Sequence, residues 1–221
     1  MTGMDVGRPR VAILGVGHVG PALARTMLDA GYEVSVAASG DPKKIELISS
    51  ILIPGAKAEW AKDAVADADI VVLAIPLHRF PSLDHRMLDG KIVIDTMNYW
   101  APTDGVQTLF EDTPLSSSEI VQSILTGATV VKTFNHIGYH EMEEERRPAG
   151  SPDRRALGVV SDDPQAAAIV GELVDSIGYD PIVLDSLRDG LAFEPGGPVF
   201  GARLTAPEFE RAVAVDAEAV A

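Results

Sequence analysis

The fold is decided by Val11-Ala12-Ile13-Leu14-Gly15-Val16-Gly17-His18-Val19-Gly20, a short apolar run that leads directly into a Gly-x-Gly-x-x-Gly turn. Four consecutive apolar residues, Val11 to Leu14, are typical of a strand buried on both faces of a parallel sheet. Apolar residues that recur with helical spacing beyond the turn predict a helix that continues to Ala30. The stretch therefore predicts the strand, turn and helix on which a dinucleotide binds.

Each glycine of this turn is expected to meet a different physical requirement. Gly15 allows the tight turn off the strand, Gly17 lets backbone amides approach a pyrophosphate, and Gly20 lets the helix pack closely on the sheet. The N-terminus of the helix adds the positive end of its dipole. Glycine-rich turns are common, so the alternative to a dinucleotide site is an ordinary loop.

Composition narrows the class of protein and of partner. The chain has 221 residues, 46% of them hydrophobic, which is enough to bury one substantial core. A net charge of -15 argues against a nucleic-acid partner, and the absence of cysteine excludes thiol chemistry. The longest apolar run, residues 70–77, contains a proline and is too short to span a bilayer. We expect a cytoplasmic protein without a membrane segment.

Strands and helices are predicted to alternate along the rest of the chain. Further strands are expected at 33–38, 69–75, 91–95, 129–134, 155–160 and 182–184, and further helices at 41–51, 117–125, 164–177 and 206–220. Such alternation requires crossover connections and hence parallel pairing. We expect an α/β fold with a doubly wound, mostly parallel, Rossmann-like sheet of seven or eight strands. A small C-terminal extension follows, so that residues 1–140 form the dinucleotide-binding domain and residues 141–221 a smaller portion.

The loop after the second strand bears on which dinucleotide would bind. In an open parallel sheet, ligands bind beyond the carboxyl ends of the strands. The sequence Ala38-Ser39-Gly40 lacks the acidic residue that would accept both ribose hydroxyls of NAD, and Ser39 with Lys43 or Lys44 could contact a 2′-phosphate. NADP is therefore favoured, although Asp41 lies close by and the two lysines could simply be a solvated helical turn.

Three other strand ends offer candidate ligand-binding residues. Pro76 ends the third predicted strand, and His78 behind it could face a reacting ring or be an ordinary polar loop residue. Asn98 has an amide able to bond a carboxamide or a ribose. His136 and His140 have the spacing of zinc ligands on a helix, but His136 follows a strand and a glycine intervenes, so we expect no metal site.

Together these motifs resemble the coenzyme F-420-dependent NADP oxidoreductases and the related ferric reductase domains of membrane metalloreductases. The resemblance rests on an ordered set of segments. They are Gly15-x-Gly17-x-x-Gly20, Ala74-Ile75-Pro76, Lys91-Ile92-Val93-Ile94-Asp95 followed by Thr96-Met97-Asn98, a serine-rich helix start, Val130-Val131-Lys132-x-Phe134-Asn135, the strand at 158–163 and Leu184-Asp185-x-Leu187.

The resemblance implies hydride transfer between nicotinamide C4 of NADP and C5 of the deazaflavin F-420. It implies that NADP is lined by Gly15, Gly17, His18, Val19, Gly20, Ser39, Ile75, Pro76 and Asn98. The strand ends themselves add Lys43 and Ala74 to the candidate dinucleotide contacts. It also implies that the second ring, covered by the C-terminal portion, is approached by Leu77, His78, Asn135, His136, Ile137 and Gly138. Such a reaction depends on orientation and exclusion of water, so no catalytic acid or base is assigned. A homodimer is left open.

Departures from the family keep two alternatives open. The family follows its second strand with an arginine that binds the 2′-phosphate, and this chain has none there, so NAD is not excluded. The segments 141–155 and 193–201 also differ from the family. The protein could instead reduce a small carbonyl or imine, or bind NADP without catalysis as a redox-sensing module.

Overall fold

A computed structural model describes residues 8–111 and 113–220, and it confirms an α/β fold with a mostly parallel, Rossmann-like sheet. Eight strands lie in the order β3-β2-β1-β4-β5-β6-β7-β8. Their bounds are β1 Val11–Leu14, β2 Val34–Ala37, β3 Lys57–Ala58, β4 Ile70–Leu73, β5 Ile92–Asp95, β6 Thr129–Lys132, β7 Ala156–Val160 and β8 Asp180–Leu184. Because the order reverses between β1 and β4, a crevice forms beyond their carboxyl ends.

Helices cover both faces of the sheet. They are α1 Val19–Asp29, α2 Lys43–Leu52, α3 Ala61–Asp67, α4 Ala101–Asp104, α5 Ser117–Ile124, α6 Glu141–Glu144, α7 Pro164–Ser176 and α8 Ala206–Val220, with 3₁₀ segments at Leu77–Ser82, His85–Leu88 and Leu187–Phe193. The predicted helices are confirmed within two residues at each end. The sequence patterns missed β3, α3, α4, α6 and the 3₁₀ segments because each has at most seven residues, too few to show a period.

The strands are apolar on both sides because each side packs against a separate hydrophobic cluster. Val11 and Ile13 of β1 lie in one cluster with residues of α1 and α7, whereas Ala12 and Leu14 lie in the other with residues of α3 and α5. Successive side chains of a strand point to opposite faces, which accounts for this alternation. A continuous apolar run such as Val11 to Leu14 is therefore what a two-sided core requires.

One strand departs from the parallel arrangement, and it lies beside the candidate site. β7 pairs antiparallel with β6, with Lys132 opposite Val160, while β7 and β8 are parallel. Since that pairing joins the last residue of each strand, most of β7 extends past the carboxyl end of β6. The strand thereby packs against the loop that contains Asn135 and His136. In the described part of the chain, no helix has both the length and the apolar character that a membrane crossing requires.

Candidate functional site

Two glycines of the opening turn are required by close packing. Gly15 has φ 124°, and a Cβ at this position would lie 2.1 Å from the carbonyl oxygen of Ala74. A Cβ on Gly20 would lie 1.9 Å from the carbonyl oxygen of Gly15. Any side chain at either position would push α1 or the loop after β4 away from β1.

Gly17 faces open space instead. A Cβ there would meet no described atom within 4 Å. The backbone amides of Gly17 and His18 donate no hydrogen bond to the described residues, and they immediately precede the N-terminus of α1. Free amides at the start of a helix form an anion-binding cradle, so the turn fits the pyrophosphate of a dinucleotide.

A cleft of about 970 Å³ opens from this turn across the ends of β1, β2 and β4. Six of the residues predicted to contact the dinucleotide line it: Gly15, Gly17, Ser39, Ala74, Ile75 and Pro76. Lys43 does not line it; this residue is exposed in the first turn of α2. His18, Val19, Gly20 and Asn98 lie outside the lining as well; His18 stacks on Tyr139 with ring centroids 4.7 Å apart.

Three cations that the sequence reasoning did not single out line this cleft. Lys62 belongs to α3, and Arg79 and Arg86 belong to the two 3₁₀ segments that follow β4. Arg86 is paired with Asp84, which also lines the cleft, at 3.5 Å. Lys62 and Arg79 form no ion pair with the described residues. The signal that could have found them is a basic residue soon after a strand end. For Lys62 that signal was hidden because β3 is too short to predict, whereas Arg79 and Arg86 follow the predicted strand β4.

A second polar group lies at the ends of β5 and β6, where two asparagines bond each other. Asn98 Nδ2 donates to the carbonyl oxygen of Asn135 at 2.7 Å, and Asn135 Nδ2 donates to Asn98 Oδ1 at 2.9 Å. Asn135 Nδ2 also donates to the carbonyl oxygen of Phe193, in the C-terminal segment. Asn98 is half-buried, so its side chain is still partly accessible.

The structure places His136 differently from the expectation that it approaches a second ring. Its side chain is buried, the amide of Gly158 donates to Nε2 at 3.1 Å, and Nδ1 faces Asn135 Oδ1 at 3.1 Å. The bond from Gly158 fixes the neutral tautomer with its proton on Nδ1. Burial, with the positive charges of Arg155 and Lys132, lowers the pKa of His136 to about 3. His136 therefore acts on the site only by holding Asn135.

The other residues predicted near a second ring divide into two groups. Leu77 and Ile137 are buried in the two hydrophobic clusters, so their side chains support the loops from beneath. His78 is half-buried and Gly138 is exposed, so both remain accessible. Phe134 has φ 63°, the one positive φ of a non-glycine residue among the described residues. Such backbone strain persists only where the surroundings enforce it, and here it turns the chain so that Asn135 meets Asn98.

A histidine–aspartate pair stands beside this group and was not predicted. Asp104 is buried, and its Oδ1 lies 3.0 Å from His78 Nδ1. The backbone amides of His78 and Trp100 also donate to this carboxylate, at 3.3 Å and 3.0 Å. A carboxylate that holds Nδ1 leaves Nε2 as the ring nitrogen available for proton exchange. The segment Ala-Pro-Thr-Asp-Gly indicates only a turn, so the sequence contains no signal for the pair.

A buried ion pair supports the loop after β5 from behind. Lys132 and Asp95 are both fully buried, with 3.5 Å between Nζ and Oδ2. Lys132 Nζ also donates to the carbonyl oxygen of Met97 and to Ser117 Oγ, each at 3.1 Å. These bonds connect β5, β6 and α5 at the edge from which Asn98 projects.

The C-terminal segment is tied to the same edge. Glu194 Oε1 accepts bonds from the amide and the hydroxyl of Ser117, both at 2.7 Å. The amide of Gly201 donates to the carbonyl oxygen of His136 at 3.1 Å. The Pro- and Gly-rich stretch that differs from the family therefore packs against the loop after β6.

The fold, the amide cradle and the cleft together define a Rossmann-type dinucleotide site, and the comparisons with known proteins indicate an NAD(P)-dependent oxidoreductase. Residues 10–99 match the family model of the coenzyme F420-dependent NADP oxidoreductases. The resemblance expected from the ordered motifs is thus confirmed over this part of the chain, which contains the cradle and the cleft. No curated protein matches the chain significantly.

Several solved structures are similar over most of the chain. A hypothetical protein from Sinorhizobium meliloti is 29% identical with a TM-score of 0.76, covering 89% of this chain and 95% of its own. A protein from Arthrobacter sp. FB24, provisionally described as an F420-dependent NADP reductase, is 28% identical with a TM-score of 0.67, covering 81% and 86%. An imine reductase from Pseudomonas sp. is 16% identical with a TM-score of 0.52, covering 97% and 63%, and shares the fold alone.

Proposed function

We propose that the protein transfers a hydride between NADPH and the deazaflavin coenzyme F420. The observation that carries the proposal is the open amide cradle at Gly17, which leads into a cleft of about 970 Å³ inside the segment that matches the family model. The free amides of Gly17 and His18 bind the pyrophosphate. Ile75 and Pro76, which line the cleft beyond Gly15, contact the middle of the dinucleotide.

The two asparagines orient the nicotinamide end. Asn98 is half-buried and its amide is held in one orientation by Asn135, so it presents fixed hydrogen-bonding atoms to a carboxamide or ribose. The buried neutral His136 and the carbonyl oxygen of Phe193 hold Asn135 in turn. Rigid support of this kind supplies the orientation that hydride transfer requires.

The second ring binds on the side of the accessible residues His18, His78, Gly138 and Tyr139. His18 and Tyr139 stack at an interplanar angle of 16°, so they present a flat surface beside the cradle. When bound, NADPH gives a hydride to the deazaflavin, which also takes one proton from solvent, and NADP⁺ is released. The protein's part is to align the two molecules and to exclude water between them.

The direct test mixes purified protein with NADPH and oxidised F420 and follows the deazaflavin absorbance. We expect the absorbance to fall only when protein and NADPH are both present. Gly17→Asp places a carboxylate in the cradle and should abolish the fall. The matched control is Gln165→Asp, which adds the same carboxylate at an exposed position in the first turn of α7, outside the cleft. An unchanged absorbance at saturating NADPH would contradict the proposal.

The His78–Asp104 pair favours one alternative, the reduction of a small carbonyl or imine. Such a substrate takes a hydride on carbon and a proton on oxygen or nitrogen, and an imidazole held by a carboxylate can supply that proton. Under this alternative, His78→Ala should lower turnover of the carbonyl or imine by about 10²-fold or more. If F420 is the acceptor, the same variant should raise the KM for F420 more than it lowers kcat, because His78 then contacts the ring without supplying a proton, so the split between kcat and KM separates the two functions.

A further inference from the structure

The cleft carries positive charge on two of its sides in a strongly acidic chain. The net charge is -15, yet Lys62 and Arg79 both line this cleft and neither forms an ion pair with the described residues. Unpaired cations that face a cleft are available for an anionic ligand. The other cation of the lining, Arg86, already pairs with Asp84.

The sheet order places Lys62 next to the end of β2. β2 and β3 are adjacent parallel strands, with Val36 opposite Ala58. Their carboxyl ends therefore meet at one edge, where Ser39 follows β2 and Lys62 follows β3 in the first turn of α3. Both residues are exposed into the same cleft. Arg79 lies across it, since its segment follows β4 on the far side of β1.

The nearby acidic residue does not oppose an anion here. Asp41 Oδ1 accepts the backbone amide of Lys43 at 2.9 Å, which holds the carboxylate at the start of α2. Asp41 does not line the cleft, and Lys43 does not line it either. The two groups that the sequence placed beside the ribose thus both lie outside the pocket.

We propose that Lys62 binds the 2′-phosphate of NADP(H), with the Ser39 hydroxyl beside it and Arg79 across the cleft. Selectivity for NADP over NAD then comes from a residue of α3, the helix after β3. Lys62 takes the place of the arginine that the family has after its second strand. The inference rests on the proposed function in so far as the ligand is a nicotinamide dinucleotide. It assigns Lys43 no part in binding.

The experiment measures binding rather than turnover, with the fluorescence of Trp60 as its signal. Trp60 is half exposed and lines the same cleft, and the chain has two tryptophans, so Trp100→Phe leaves Trp60 as the sole reporter. Four proteins in the Trp100→Phe background are titrated with NADPH, NADH, 2′-AMP and 5′-AMP. One has no further substitution, and the others carry Lys62→Ala, Lys62→Arg or Lys43→Ala. Thermal melting of each variant checks that it is folded.

Lys62→Ala should weaken NADPH and 2′-AMP binding by about tenfold or more, because a charged hydrogen bond to phosphate is lost. Its affinity for NADH and 5′-AMP should stay within about twofold, and Lys62→Arg should retain most of the preference for NADPH. Lys43→Ala should change no affinity. The preference of the unchanged protein for NADPH should also shrink as salt is raised, because salt screens exposed charges.

Three results would overturn the inference. The first is that Lys62→Ala loses affinity for NADPH and NADH equally, and the second is that Lys43→Ala loses affinity for NADPH but not for NADH. The third is that the protein without a change at Lys62 or Lys43 binds NADPH and NADH equally well. None of these bears on hydride transfer to F420. Conversely, selective loss of NADPH in Lys62→Ala together with no reduction of F420 would support the phosphate site and contradict the proposed function. Failure to bind any of the four ligands would contradict both.

Discussion

Asn98 and Asn135 form a reciprocal pair of hydrogen bonds across the ends of two adjacent strands. The amide nitrogen of each donates to an oxygen of the other residue, at 2.7 Å and 2.9 Å. Asn135 also bonds to Phe193 and faces His136, so it is the centre of a network that joins β6, β7 and the C-terminal segment. The hydrogen bonds of this network fix the orientation of the Asn98 amide.

The Asn98–Asn135 pair should be strongly coupled. Asn135→Ala leaves the partners of a buried amide unpaired and should destabilise the protein by about 1–3 kcal/mol. In a double-mutant cycle with Asn98→Ala, unfolding by urea should give an interaction energy of about 0.5–3 kcal/mol. Asn98→Ala combined with Ser151→Ala, a residue in an exposed turn, is the additive control. Additivity of the asparagine pair would contradict the network.

Gly17 and Gly20 should separate binding from folding. A methyl group on Gly17 enters open space, so Gly17→Ala should leave the melting temperature nearly unchanged but weaken dinucleotide binding. A methyl group on Gly20 would lie 1.9 Å from a carbonyl oxygen, so Gly20→Ala should destabilise the fold by about 1–3 kcal/mol. Thermal melting and NADPH titration of both variants test this. A destabilised Gly17→Ala variant with normal affinity would refute the assignment of the cradle.

Lys132 should be needed for stability rather than for proton transfer. Lys132→Met leaves Asp95 buried without its counter-ion and should cost about 3–5 kcal/mol in urea unfolding. Adding Asp95→Asn removes the uncompensated charge and should recover part of that loss. Lys91→Met is the matched control, because Lys91 is half-buried and donates only to carbonyl oxygens. If both lysine variants lost the same stability, the buried pair would have no special role.

His136 should make stability fall on acidification. Its pKa is about 3 in the folded protein and near 6.5 when unfolded, so between these values the unfolded chain binds a proton that the folded chain does not. Stability therefore decreases as pH falls from 6.5, by up to about 1.4 kcal/mol per pH unit from this group. His136→Gln removes the titrating group, so its urea-unfolding free energy should depend less steeply on pH between 4 and 6. Above pH 7 the difference between the two proteins should be constant, and parallel curves throughout would show that His136 does not titrate in this way.

The strands and the opening turn were predictable because their causes are local. A strand of four apolar residues needs a layer of packing on each of its two faces. The turn that follows has φ 124° at position 15, a conformation that requires glycine. The alternation with helices predicts parallel strands and hence ligand binding beyond their carboxyl ends, although the strand order that places the cleft at β1 comes from the structure. Most of the predicted dinucleotide contacts lie within or beside that one turn.

The polar contacts of the site could not be predicted, because they depend on which strands lie next to each other in the sheet. Asn98 and Asn135 are 37 residues apart, and His78 and Asp104 are 26 apart; no periodic pattern links either pair. Lys62 reaches the cleft through a two-residue strand that no pattern shows, whereas Lys43, close to Ser39 in sequence, faces away from it.

The sequence by itself determined the α/β fold, the buried strands and the glycine turn, because apolar periodicity and backbone sterics act between residues near in the chain. Only the tertiary structure decided which polar side chains meet. Their contacts are set by strand order, by the strained backbone at Phe134 and by the antiparallel strand β7, which places Gly158 against His136. Those are long-range consequences of packing the whole chain around one sheet.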